Sequence, residues 1–100
     1  MAIIGAFTQS GGVFTGTIKT MTLEIASVQI LPSVPSTDKS PDYLVLAGTT
    51  ELGAAWKRIA SKSRREFLLV KFDDPTFPAP IYALLLEVEN GEGYTLVWSR

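Results

Sequence analysis

Hydrophobic and polar residues alternate with a period of two along much of this chain, the signature of half-buried strands rather than of helices. Phe14, Gly16 and Ile18 alternate with Thr15, Thr17 and Lys19, and then Met21, Leu23 and Ile25 alternate with Thr22, Glu24 and Ala26. Ahead of them Ala2 to Thr8 is a β-prone run that ends at Ser10-Gly11-Gly12, where two glycines can take the positive φ of a tight turn, so the first two strands are predicted to form a hairpin. Between Ile25 and Leu31 the apolar phase slips from one parity to the other, which predicts a bulge near Ser27.

Pro32 to Asp42 carries three prolines among turn formers and reads as a surface loop. Tyr43 to Ala47 is a continuous apolar run of strand length and is expected to be a central strand, with a turn at Gly48-Thr49-Thr50. Residues 51–59 admit two readings: alanines favour helix, whereas Gly53 and the parity of Leu52, Ala54 and Trp56 favour strand, and strand is preferred. A polar turn at Ser61 to Arg65 leads into a strand from Glu66 to Phe72. The prolines of Asp73 to Pro80 then exclude regular structure. Ile81 to Val88 and Tyr94 to Ser99 flank Asn90-Gly91, a hairpin signal. The result is an all-β domain spanning residues 1–100, a small antiparallel barrel or sandwich of seven to eight short strands joined by hairpins, with surface loops near 32–42 and 73–80.

Composition narrows function by exclusion. With 100 residues and 46% hydrophobic side chains the chain is sized for a single core. It has neither cysteine nor histidine, which removes thiolate and Ser-His-Asp nucleophiles, ordinary zinc sites and iron–sulfur clusters, and points to a cytoplasmic address. Met1 to Phe7 is apolar but lacks the basic start of a signal peptide, and no apolar run approaches the roughly 20 residues of a membrane helix. A non-enzymatic binding protein without cofactor is the expectation.

The net charge of −1 conceals a strong local asymmetry. From Lys57 to Lys71 there are six basic residues and one acid, whereas Asp73 to Glu92 holds five acids and no base. If Lys57, Arg58, Lys62, Arg64, Arg65 and Lys71 line one hairpin with Trp56, Phe67 and Phe72 interleaved, they form a surface able to contact phosphates and stack bases. The plainer reading is a solvated hairpin whose aromatics face the core, or one that pairs with the chain's own acidic segment. Asp73-Asp74 suggests oxygen ligands for a divalent ion, but adjacent residues on an extended chain diverge, and turn formation is the stronger reading. Glu87 and Glu89 share a strand face without evidence of a pocket around them, so neither a metal site nor a catalytic residue is assigned. Gly11-Gly12 and Gly91-Glu92-Gly93 precede no helix and read as turns rather than phosphate loops. Phe77-Pro78-Ala79-Pro80-Ile81-Tyr82 suits protein recognition through Phe77, Pro78 and Tyr82; the alternative is a lid over one barrel end with Phe77 as its plug.

Several blocks together resemble the bacterial domain-of-unknown-function family 736. They are Met1-Ala2-Ile3-Ile4-Gly5, Phe14-Thr15-Gly16-Thr17-Ile18, Pro41-Asp42-Tyr43, Gly53-Ala54-Ala55-Trp56-Lys57, Arg65-Glu66-Phe67, Val70 through Ala83, Gly91-Glu92-Gly93-Tyr94 and Trp98-Ser99-Arg100. The resemblance implies short proteins of proteobacterial plasmids and integrative conjugative elements, and it supplies no activity and no catalytic residues. Two departures stand out: Ser27-Val28-Gln29-Ile30-Leu31 lacks the basic residues of similar sequences, and Ser63-Arg64 replaces a commoner Asp-Gly turn. The combined expectation is a mobile-element accessory protein that contacts single-stranded nucleic acid through Trp56, Lys57, Arg58, Lys62, Arg64, Arg65 and Lys71. A protein-interaction module, a homodimer included, that uses a strand edge or the Phe77 to Tyr82 loop is the alternative.

Overall fold

The structure is a computed structural model that describes residues 2–21, 24–34, 37, 40–88 and 93–98. Eight strands follow in order: β1 (Ala2–Ser10), β2 (Val13–Lys19), β3 (Glu24–Pro32), β4 (Tyr43–Ala47), β5 (Thr50–Ile59), β6 (Glu66–Phe72), β7 (Ile81–Glu87) and β8 (Tyr94–Trp98). Each pairs antiparallel with the next and β8 returns to β1, so the sheet closes into an up-and-down barrel. Of the two architectures that the periodicity allows, the barrel is the one formed. Residues 51–59 are strand, as preferred over helix. Among the described residues no helix is long and apolar enough to cross a membrane.

Local chemistry accounts for the hairpins and bends. Gly11 and Gly12 take φ of 60° and 83° between the paired Ser10 and Val13, which is the two-residue turn with both φ positive that matches strand twist. The slip near Ser27 is a bulge: Gly16 faces Val28 and Ile18 faces Ile25, so Thr17 alone opposes Ala26 and Ser27. A second bulge on β5 sets Val45 opposite Gly53 and Leu46 opposite Glu51, and the extra residue, Leu52, turns into the core. The Asn90-Gly91 turn lies outside the described residues, but Val88 N–H donates to the Gly93 carbonyl at 2.8 Å and closes that hairpin.

Alternation decides the core. Val28, Ile30, Val45, Val70, Leu85 and Leu96 point inward and are fully buried, each contributing about 1.5–3 kcal/mol of transfer free energy. Among the described residues no polar or charged side chain is buried. The Tyr43 to Ala47 run is not central, because a closed sheet has no central strand. Its Leu44 and Leu46 are half-buried on the outside, where Leu44 lies between Leu31 of β3 and Ala54 of β5.

The barrel is tight enough that backbones meet backbones at Gly53. A Cβ there would collide with the Lys71 carbonyl of β6, as one at Gly16 would with the Ala6 carbonyl of β1. Neither obstruction can swing aside as a flexible side chain would.

Asp73 to Pro80 bridges β6 and β7 without regular structure. Asp73 N–H donates to the Leu52 carbonyl and Phe77 N–H to the Asp74 carbonyl, both at 2.8 Å. The Asp74 carboxylate accepts from the Thr76 hydroxyl and from its N–H at 3.0 Å, so it builds the turn. Among the described residues no three acidic side chains come together as metal ligands would. The Thr76 hydroxyl first, and its N–H second, hold the Asp74 carboxyl below its ordinary 3.8. Phe77 is thereby set with its ring partly buried against the core.

Two outcomes follow from this packing. Gly53→Ala should destabilise the barrel by about 2–3 kcal/mol and lower its melting temperature by roughly 10 °C or more, whereas Gly48→Ala, in an open turn where only the φ of 65° opposes it, should cost about 1 kcal/mol and lower it less; equal losses would refute the close-approach account. A depressed carboxyl stabilises the loop above its unfolded pKa and loses that contribution as pH falls through the folded value. The Thr76 amide resonance should therefore titrate with a midpoint below 3.8 and stop titrating in Asp74→Asn, and a midpoint at or above 3.8 would contradict the capping role.

Candidate nucleic-acid interface

β5 and β6 pair without interruption from Gly53 opposite Phe72 to Ile59 opposite Glu66. Since Ala55, Leu68, Val70 and Phe72 face the core, Trp56, Arg58, Phe67, Leu69 and Lys71 face outward. Trp56 lies directly opposite Leu69, and Arg58 opposite Phe67. On the far side of β6, Lys71 faces Tyr82 of β7, with its Nζ 6.0 Å from the tyrosine ring centre, at the outer reach of a cation–π contact. Tyr82 is 52% exposed. Three aromatic rings thus alternate with two cations on one outer wall, over about 13 Å of strand at the usual rise of roughly 3.3 Å per residue.

The remaining basic residues divide between the hairpin tip and the barrel mouth. Residues 60–65 make the tip, closed by the Ala60 N–H to the Arg65 carbonyl and the Arg64 N–H to the Ala60 carbonyl, both at 3.0 Å. Lys62 and Arg64 are exposed there, and Arg64 has φ of 62°, a left-handed conformation that favours glycine. Lys57 continues the inward parity of Ala55 but sits beyond the core, at the mouth, where its N–H donates to the Asp42 carboxylate at 2.9 Å. Arg65 also borders the mouth and forms an ion pair with Glu87 at 2.8 Å. Both partners are about half exposed, so the pair is worth at most about 1 kcal/mol, but it offsets one of the hairpin's charges.

The mouth is a cavity of about 300 Å³ floored by aromatic rings. Phe14 meets Tyr94 edge-on with ring centres 4.9 Å apart, and Tyr43 at 5.8 Å. Tyr94 donates its hydroxyl to Gln9 Oε1 at 3.0 Å. Burial, then the nearby Glu87 carboxylate, push the Tyr94 phenol above its usual range, so it remains a donor through neutral pH.

The sequence candidates are therefore not one surface. Trp56, Arg58 and Lys71 share the outer wall, Lys62 and Arg64 extend it at the tip, and Lys57 and Arg65 turn toward the mouth. Phe72 is only 4% exposed and belongs to the core, so it cannot stack on a ligand. Phe77 and Tyr82 part company: Phe77 packs at the opposite barrel end, Pro78 is exposed on the loop between, and Tyr82 joins Lys71. That last neighbour was invisible to sequence reasoning because it depends on the β6–β7 register. Glu87 is paired with Arg65, while Glu89 lies outside the described residues. A shallow outer groove beside Trp56 also includes Lys71, Glu51 and Asp73, so carboxylates bound the wall at that end and positive charge concentrates toward Arg58, Lys62 and Arg64.

Comparison with known proteins adds no activity to this geometry. No curated protein and no solved structure matches the chain. One family model covers residues 3–100, nearly the full length, and by it the chain belongs to the family of proteins of unknown function designated DUF736.

Proposed function

We propose that this barrel binds rather than catalyses, and that its ligand is single-stranded nucleic acid lying along the outer wall of β5–β7. The observation that carries the reading is the wall itself: Trp56, Phe67 and Tyr82 interleaved with Arg58 and Lys71, and continued by Lys62 and Arg64 at the tip. Every base has a flat face to stack on an aromatic ring, and every linkage has a phosphate for a cation, so such a surface needs no base-specific donors. The acidic groups at the Trp56 end set a direction, with the phosphate chain entering over the tip. Cellular work as a cytoplasmic accessory protein of plasmids and conjugative elements belongs to the same proposal.

A second reading rests on a different observation. Ile3, Val97, Leu84, Leu69 and Trp56 lie side by side in register across five strands, with Ile3 exposed, Leu84, Leu69 and Trp56 half-buried and Val97 covered, an apolar row that would suit a protein partner or a second copy. A strand edge cannot serve it, because closure leaves each strand with two neighbours.

Fluorescence anisotropy with a labelled single-stranded oligonucleotide separates the two. Contact with about three phosphates should make log affinity fall against log salt with a slope of about 2. Arg58→Glu/Arg64→Glu should remove most of the binding, and Trp56→Ala should weaken it about 5-fold or more. Flat titrations at low salt, or equal affinity in the double reversal, would sink the nucleic-acid reading. A mass that rises with protein concentration and is unchanged by those reversals would support the apolar row instead.

A further inference from the structure

The barrel end opposite the basic hairpin carries a second cavity, of about 620 Å³, in the middle of the usual range for small-molecule sites. Its wall is mainly branched hydrocarbon: Ile4, Ile18, Ile25 and Ile81, with Phe77 and Trp98 completing it. Ile18 is buried and forms part of the floor, while Ile4, Ile25 and Ile81 are only partly covered. Among the described residues the polar groups of the lining are the side chains of Lys19 and Thr20 on one rim and the indole N–H of Trp98, and no carboxylate is among them. A polar or planar ligand needs several converging donors and acceptors to fix it, and the described wall offers few beyond Lys19 and Thr20 at the rim. An aliphatic chain needs only apolar surface of matching size.

We infer that this end is a binding site for a single-chain amphiphile, whose hydrocarbon tail fills the cavity and whose head remains at the open rim beside Lys19. The head is anionic in preference to cationic, because the Lys19 ammonium is the one charge among the described lining residues. Glu24 lies directly opposite Lys19 in the β2–β3 ladder and competes for that ammonium, so the preference is modest, about severalfold. The Asp73 to Pro80 loop takes part directly, since Asp74 and its bonds to Thr76 hold the segment from which Phe77 forms one wall. The Phe77 ring is therefore a wall of this site rather than its stopper.

The test uses the full chain and three probes below their micelle thresholds: dodecanoate, dodecyltrimethylammonium and a neutral dodecyl glucoside. Calorimetry gives the stoichiometry, and the emission of Trp98 is read in a Trp56→Phe background. Dodecanoate should bind saturably at one per chain and shift that emission, and the cationic probe should bind more weakly. Ala2→Phe adds bulk at the exposed rim without removing a core side chain. Withdrawing about 60 Å² of apolar contact in this way should weaken dodecanoate about tenfold. Lys19→Gln should bring the anionic and cationic probes to similar affinity while leaving the glucoside unchanged. Flat heats for all three probes, or dodecanoate affinity unmoved by Ala2→Phe, would overturn the site. Equal binding of the anionic and cationic probes to the parent chain would overturn the assignment of the head.

Discussion

Everything in this molecule depends on the pairing of β8 with β1. Once the sheet is closed no strand can slide, since a shift of one residue would send a whole strand's apolar side chains into water. Closure therefore fixes which side of the wall each residue occupies, and the bulges adjust it locally. The extra residue Leu52 is turned inward at one bulge, and Ile4 gains partial cover against the core at another, between Ile3 and Gly5. The same constraint explains why glycine stands at Gly16 and Gly53, where a neighbouring backbone lies too near for any side chain.

Chemistry is then distributed by parity and by end. Outward positions of β5–β7 hold the aromatic and basic wall. Inward positions past the core make two mouths of opposite character: one polar and aromatic around Lys57, Arg65, Glu87 and Tyr94, the other hydrocarbon around Ile18, Ile25 and Trp98. The acidic and basic segments that cancel in the net charge meet in space at a single described ion pair, Arg65 with Glu87. The tip cations Lys62 and Arg64 have no such acid across from them in the described ion pairs, which leaves the hairpin end the more positive part of the wall.

Much of this was legible in the sequence because its signals are local. Period-two alternation located the strands, Gly11-Gly12 located a turn, and the slip before Val28 located the bulge at Ala26 and Ser27. What could not be read depends on partners distant in sequence. Alternation is the same in a sandwich and in a barrel, so closure left no local trace. Tyr43 to Ala47 reads as central because both faces are apolar, yet its outer face is only half-covered: Leu44 lies between Leu31 and Ala54, and Leu46 between Gln29 and Glu51. Phe67 and Phe72 differ by an odd number of positions along one strand, and only the register with β5 shows that Phe72 is the one lost to the core. Tyr82 lies five positions after Phe77 in the sequence but stands opposite Lys71 in the fold.

Arg64 links the backbone to the proposed function. A left-handed φ of 62° is costly for a side chain that bears a Cβ, by about 1 kcal/mol, and glycine would remove that strain. The turn geometry therefore gives no reason for arginine at this position. Nor does Arg64 share Arg65's role, since it is Arg65 that engages Glu87. What arginine adds over glycine at an exposed tip is a guanidinium and its reach. A strained backbone position of this kind motivates a functional reading and does not establish one, and the proposed contact with a ligand outside the chain is the reading offered for Arg64. On the proposed function, a guanidinium at this exposed tip would meet a phosphate before the bases reach Trp56, with the tip as the point of first encounter and the wall as the place of retention.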